Sequence, residues 1–146
     1  MNNRSFLSVL GIICLVAVAW LVNRPAATAQ VAAAKSSNVV ILVPSPKPMP
    51  VVLKTAEQML AGQGFSAQKV ELVICGEGVQ ALLKSAKGAE LLKQAADKGV
   101  KIYACGLSLQ QAKIDKADLA LGVQTVDNGL IEVIQLQSQG YLSIGL

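Results

Sequence analysis

Two stretches of this chain, thirty residues apart, share one grammar, and it constrains the fold more than any other feature. Val70-Glu71-Leu72-Val73-Ile74-Cys75-Gly76 and Val100-Lys101-Ile102-Tyr103-Ala104-Cys105-Gly106 each lead strand-favouring residues into a cysteine. The glycine that follows frees the backbone to turn. Val70 matches Val100, Gly76 matches Gly106, and Gln80 matches Gln110. We read two similar βα units rather than a duplicated domain. Such units lay their strands parallel, which puts both cysteines at the carboxyl edge of one sheet. In open α/β sheets that edge collects ligands and reactive groups.

Cys105 is followed by the helical pattern opening at Gly106-Leu107-Ser108-Leu109. A thiol at a helix start feels the positive end of the dipole, which favours thiolate over thiol. Cys105 is therefore a candidate nucleophile. The plainer alternative is a small buried hydrophobe that closes a strand. Cys75 is a candidate second thiol. Gly76 and Gly78, flanking Glu77 ahead of a helix, form a candidate anion-binding loop through their backbone N–H groups, as do Gly106 and Ser108. The Gly-Glu-Gly fragment falls far short of a dinucleotide or Walker fingerprint.

Before these units the chain carries an unusual leader. Arg4 precedes seventeen uncharged residues, Phe6 to Val22, followed by Asn23-Arg24-Pro25 and the small-x-small sequence Ala27-Thr28-Ala29. The apolar run is long for a signal-peptide core of about 7–15 residues and short for a spanning helix of about 20. A cleaved export signal over residues 1–29 is favoured over a retained N-terminal anchor, with Gln30 as the new first residue. Either way the domain is expected outside the cytoplasmic membrane, touching it only through residues 6–22 if these are retained. Cys14 lies in mid-core, behind Ile12 and Ile13, and is no lipid-attachment site.

Residues 30–38, rich in Ala and Ser, read as a linker to a domain over 39–146. Val39 to Val43 is an apolar run suited to a central parallel strand. Pro44-Ser45-Pro46-Lys47-Pro48-Met49-Pro50 then forces an extended loop, with Pro50 suited to a helix start. Helical spacing is expected from Val52 to Leu60, from Val79 to Ala86, from Ala89 to Lys98, from Leu109 to Leu121, and from Leu130 to Gln139. Further strands are expected at Val70 to Cys75, Val100 to Cys105, Gly122 to Val126, and Tyr141 to Ile144. Strands alternating with helices predict a three-layer α/β/α sandwich with a mostly parallel sheet of about five strands.

Composition excludes several chemistries. The chain has no histidine, which removes Ser-His-Asp and Cys-His catalysis and His-based zinc sites. Two cysteines thirty residues apart make a poor metal site and no CxxC motif, so neither metal nor cofactor is expected. Cleavage after Ala29 leaves eleven basic against nine acidic residues, and the lysines are scattered without aromatic interleaving, so no nucleic-acid partner is expected. Glu77 and Asp115 are the carboxylates expected near the cysteine edge, and they make no glycosidase-like pair. Thiol chemistry remains. Cα atoms on neighbouring strand ends fall within the roughly 4.4–6.8 Å a disulfide needs, though dihedral geometry between parallel neighbours points to a labile or absent bridge.

Gly-x-Gly-Val after the second strand, residues 98–109, Gly122-Val123 and residues 136–144 together resemble the DsrE/DsrF-like family of sulfur-relay proteins. The resemblance spans about residues 39–144. It implies a three-layer α/β/α domain that assembles as a homo-oligomer, a trimer or a hexamer. It also implies sulfur carried as a persulfide on the strand-end cysteine, which is Cys105 here, and exchanged with a donor or acceptor protein. Cys75 inherits no role, since the family more often has another residue there. Two departures stand out: the export segment, where the relay proteins are cytoplasmic, and the proline loop 44–50. The expectation is an extracytoplasmic (periplasmic) sulfur carrier whose Cys105 is helped by its helix start and by Lys113. The alternative is a non-catalytic oligomeric or small-anion-binding module with structural cysteines.

Overall fold

The computed structural model describes residues 37–146, so the predicted export segment and its cleavage site lie outside the described residues. Among the described residues no helix is long and apolar enough to cross a membrane. The chain runs through β1 (Ser37–Val43), α1 (Met49–Leu60), β2 (Ala67–Ile74), a 3-10 helix (Gly76–Leu82) and α2 (Ala89–Asp97). It continues through β3 (Lys101–Cys105), α3 (Gly106–Ala112), a short 3-10 turn (Lys116–Asp118), β4 (Val123–Val126), α4 (Gly129–Ser138) and β5 (Leu142–Gly145). The strand order is β4-β3-β2-β1-β5, and every pairing is parallel. The predicted α/β class and five strands are present. β1 starts at Ser37, so the last two residues assigned to the linker belong to the sheet.

Handedness decides which face each helix covers. From β1 to β4 the chain steps one strand at a time in a single direction, and right-handed crossovers put the intervening helices on one face. The return from β4 to β5, beyond β1, runs the other way, so the same rule sends α4 to the opposite face. The larger core follows. Val39, Ile41, Leu72, Ile74 and Ile102 alternate onto the first face and meet Val52, Leu53, Leu92 and Leu109. The opposite face has a smaller core of Val40, Val73, Leu136 and Tyr141, covered by α4. At about 25 cal/mol per Å² of apolar surface, the first core supplies most of the burial that holds the sheet.

Two predicted helices are corrected. The helix expected over 79–86 is a 3-10 helix ending at Leu82, after which Leu83 is extended and bridges Leu119. Its buried Val79 and Leu82 are three residues apart, the repeat of a 3-10 rather than an α-helix. Gly78 pins its start. The Gly78 N–H donates to the carbonyls of Pro44 and Cys75, and a Cβ there would come within 2.8 Å of the Val43 carbonyl oxygen. The helix expected over 109–121 instead occupies Gly106–Ala112. Lys113 leaves it in the left-handed conformation, φ 56°, the Ile114 N–H returns to the Leu109 carbonyl, and Asp115 caps the next turn through the Ala117 N–H at 2.8 Å. Asp115 thus serves as a helix cap. Pro50 does sit in the first turn of α1, as expected.

Candidate functional site

The site begins with register. β2 and β3 pair Glu71 with Lys101, Leu72 with Ile102, Val73 with Tyr103 and Ile74 with Ala104, a constant offset of thirty. One more step sets Cys75, just past β2, beside Cys105 at the end of β3. Alternation along the strands turns both thiols to the α4 face, the face of Val73 and Tyr103. The Cys75 backbone is fixed there by its N–H, which donates to the Val43 carbonyl at 3.0 Å. Both cysteines are free thiols: Cys105 is buried, and Cys75 is partly exposed.

Over this pair sits Gly129, the first residue of α4. A Cβ there would lie 2.5 Å from Cys75 Sγ and 3.1 Å from Cys105 Cβ, so only glycine lets the helix start come this close. In return the Gly129 N–H donates to Cys105 Sγ at 3.3 Å. Asn128 shapes the start, its Oδ1 accepting from the Leu130 N–H at 3.0 Å. The Gly129 N–H at the start of α4 thus joins the Ser108 groups in the first turn of α3 at the same thiol. As sequence, Asp127-Asn128-Gly129 has the composition of a turn and helix cap and nothing more. What it lacked was knowledge of which strand ends that turn would cover.

Ser108 also holds the pair. Its Oγ accepts the Gly76 N–H at 2.9 Å, and its hydroxyl turns to Cys105. Burial pushes the Cys105 thiol up, but the Ser108 hydroxyl, the Gly129 and Ser108 N–H groups and the Cys75 thiol outweigh it, leaving Cys105 below the usual cysteine range. Cys75 moves the other way. Burial, repulsion from Cys105 and its own S–H bond to Cys105 push it up to about 12. One thiol thus holds its proton and donates to the other, whose thiolate form is favoured relative to an ordinary cysteine.

The glycines named as anion-binding candidates have internal duties. The Gly76 N–H is taken by Ser108 and the Gly78 N–H by two carbonyls. Gly76 itself is left-handed at φ +52°. A Cβ on Gly106 would stand 3.0 Å from the Val126 carbonyl oxygen and 3.1 Å from that of Asp127, which accepts the Leu107 N–H. These glycines bring β2, β3 and the β4–α4 loop together around the thiols. Lys113 lies at the far end of α3 from Cys105, so it gives the thiolate no help. A groove of about 280 Å³ borders the site, lined by Gly76, Glu77, Gln80, Ser108, Gln111 and Ala112. Its one charged group is Glu77, which favours neutral or cationic occupants over anions.

A second polar cluster lies deeper on the same face. Glu71, 2% exposed, accepts from the Tyr141 hydroxyl at 2.8 Å and from Lys101 Nζ at 3.3 Å. Sequence reasoning passed over it, although a lone carboxylate inside the apolar run Val70 to Ile74 was the signal: a buried charge has to be paired.

A family model described as "DsrE/DsrF-like family" matches residues 23–144. No curated protein matches the chain. Among solved structures, the protein of unknown function MTH1491 from Methanobacterium thermoautotrophicum superposes with a TM-score of 0.70 at 20% identity, covering 76% of this chain and 100% of that one. The ychN protein from E. coli gives 0.62 at 16% identity, covering 76% and 99%. The conserved protein of unknown function BT1422 from Bacteroides thetaiotaomicron gives 0.59 at 12% identity, covering 75% and 95%. At these identities the likeness is one of fold.

Proposed function

We propose, from the premise that this chain belongs to the DsrE/DsrF-like family, that it is a sulfur carrier taking up sulfane sulfur as a persulfide on Cys105 and passing it to a partner protein. The observation that carries this reading is the Gly129 N–H on Cys105 Sγ at 3.3 Å, together with the Ser108 hydroxyl. Both favour thiolate, which is the nucleophile and the persulfide-forming species. In the step proposed, Cys105 thiolate attacks the outer sulfur of a donor persulfide. The new bond is Cys105 Sγ to that sulfur, and the donor leaves as its own thiolate. The acceptor thiolate later repeats the displacement on the carried sulfur and frees Cys105. The Glu77-lined groove suits a donor or acceptor presented on a peptide.

The direct test is intact-mass spectrometry of the purified chain after exposure to polysulfide. Uptake of one sulfur atom is expected on Cys105, and Cys105→Ser is expected to abolish it while Cys75→Ser retains it. Uptake that is unchanged in Cys105→Ser overturns the assignment.

The reading includes a homo-oligomer, a trimer or a hexamer, supported by Leu130, Ile131 and Ile134, large apolar residues left exposed on the outer side of α4. It also includes export or anchoring by residues 1–29, supported by Arg4, the apolar run and Ala27-Thr28-Ala29. N-terminal sequencing of the native protein is expected to begin at Gln30. An intact Met1 or Asn2 start in the membrane fraction favours the anchor instead.

A further inference from the structure

Carriage on Cys105 leaves unexplained why a second thiol stands beside it. The β2–β3 register places Cys75 and Cys105 side by side on one sheet face. Neighbouring strands lie about 4.8 Å apart, inside the roughly 4.4–6.8 Å of Cα separation that a disulfide spans. The point where a Cβ on Gly129 would lie is 2.5 Å from Cys75 Sγ and 3.1 Å from Cys105 Cβ, so the Cys75 sulfur is directed over Cys105. Cys75 is also the more exposed of the two.

We propose that Cys75 is a resolving thiol that discharges the carrier as hydrosulfide when no acceptor collects the sulfur. The proposal rests on the carrier reading above. Cys75 sulfur attacks Cys105 Sγ of the persulfide, forming the Cys75–Cys105 bond and breaking the bond from Cys105 Sγ to the terminal sulfur. The terminal sulfur keeps the electron pair of the broken bond, takes the Cys75 proton, and leaves as hydrosulfide. The sulfane sulfur is reduced by two electrons, and the cysteine pair is oxidised by two to a disulfide.

Resetting needs a thiol reductant, a dithiol or two monothiols. Its first thiolate attacks the sulfur of the partly exposed Cys75 and expels Cys105, the better leaving group because Gly129 and Ser108 stabilise its thiolate. Its second thiol then displaces Cys75 from the mixed disulfide, and the reductant departs as its own disulfide. Burial, the largest cause holding the Cys75 proton, slows the discharge at neutral pH and gives an acceptor the first opportunity.

The test uses the full chain with Cys14→Ala in every variant, loaded with polysulfide and desalted. Sulfide release and intact mass are then followed after acid quenching. The wild-type pair is expected to release about one sulfide per chain, ending two hydrogens lighter than the reduced protein, with a peptide cross-linked through Cys75 and Cys105. Cys75→Ala is expected to keep the added sulfur, with release slowed more than about tenfold, and release is expected to quicken as pH rises. Equal retention in both proteins, without the cross-linked peptide, overturns the resolving role and leaves the carrier reading intact. Absence of any sulfur uptake on Cys105 in Cys75→Ala overturns the carrier reading and this one with it. Should Cys75→Ala fold poorly, Cys75→Ser replaces it, and the cross-linked peptide in the wild-type chain decides without either variant.

Discussion

Ser108 and Gly129 both act on one sulfur, yet they are twenty-one residues apart in sequence and on different helices. Ser108 offers a hydroxyl that turns to Cys105 while its oxygen accepts the Gly76 N–H. Its loss takes away one donor to the thiolate, and hydrogen bonds to the charged form favour that form. Ser108→Ala is therefore expected to raise the Cys105 pKa and to slow its alkylation at neutral pH. The pH profile of iodoacetamide labelling reads this directly. An unchanged profile would mean that the hydroxyl does no more than hold the Gly76 N–H.

Among the elements, β2 and β3 carry two polar devices on a single face: the thiols at the carboxyl end, and Glu71 with Lys101 and Tyr141 lower down. Burial first, and then the Glu71 carboxylate, push the Tyr141 hydroxyl up to about 12. Its folded pKa lies above its ordinary value of 10, so the unfolded chain loses this proton first as pH rises. The stabilisation is complete below about pH 10 and is lost towards 12. Cys75, raised from 9 to about 12, adds a loss of the same sign that begins a unit lower. Urea unfolding under reducing conditions is expected to show stability falling between about pH 9 and 12. Tyr141→Phe should flatten the upper part of that fall. A wild-type curve level across the window would contradict the buried Glu71–Tyr141 pairing.

For the whole molecule, the sheet faces are unequal. Three α-helices and the 3-10 helix enclose the larger core on one side, while α4 alone lies across β1, β2, β3 and β5 on the other. Its outward residues Leu130, Ile131 and Ile134 are each more than half exposed. Burying them between copies would remove apolar surface from water at about 25 cal/mol per Å². Light scattering of the chain at micromolar concentration is expected to give a trimer or a hexamer, and Ile134→Asp is expected to shift it towards single chains. A monomer mass for the unmodified protein would count against the assembly. Since α4 also carries Gly129, such an interface would hold the helix start against the thiols.

Local pattern was enough for the parallel α/β fold. Val39 to Val43 is an apolar run suited to burial on both faces, and strand patterns alternating with helical ones leave few alternatives to a parallel sheet. The thirty-residue repeat also announced that Cys75 and Cys105 would share an edge, because a constant register offset follows from two similar βα units. What tertiary structure alone decided was the environment of the thiols. Cys105 receives the Gly129 N–H from α4 in addition to the Ser108 groups of its own helix start, because the reversal between β4 and β5 sends α4 across to the cysteine face. Lengths of the helices near 79 and 109 were likewise settled by contacts, at Gly78 against Val43 and at left-handed Lys113. Periodicity reports which residues seek burial. The partners they meet there depend on contacts between residues far apart in the chain, and only the packed fold contains those.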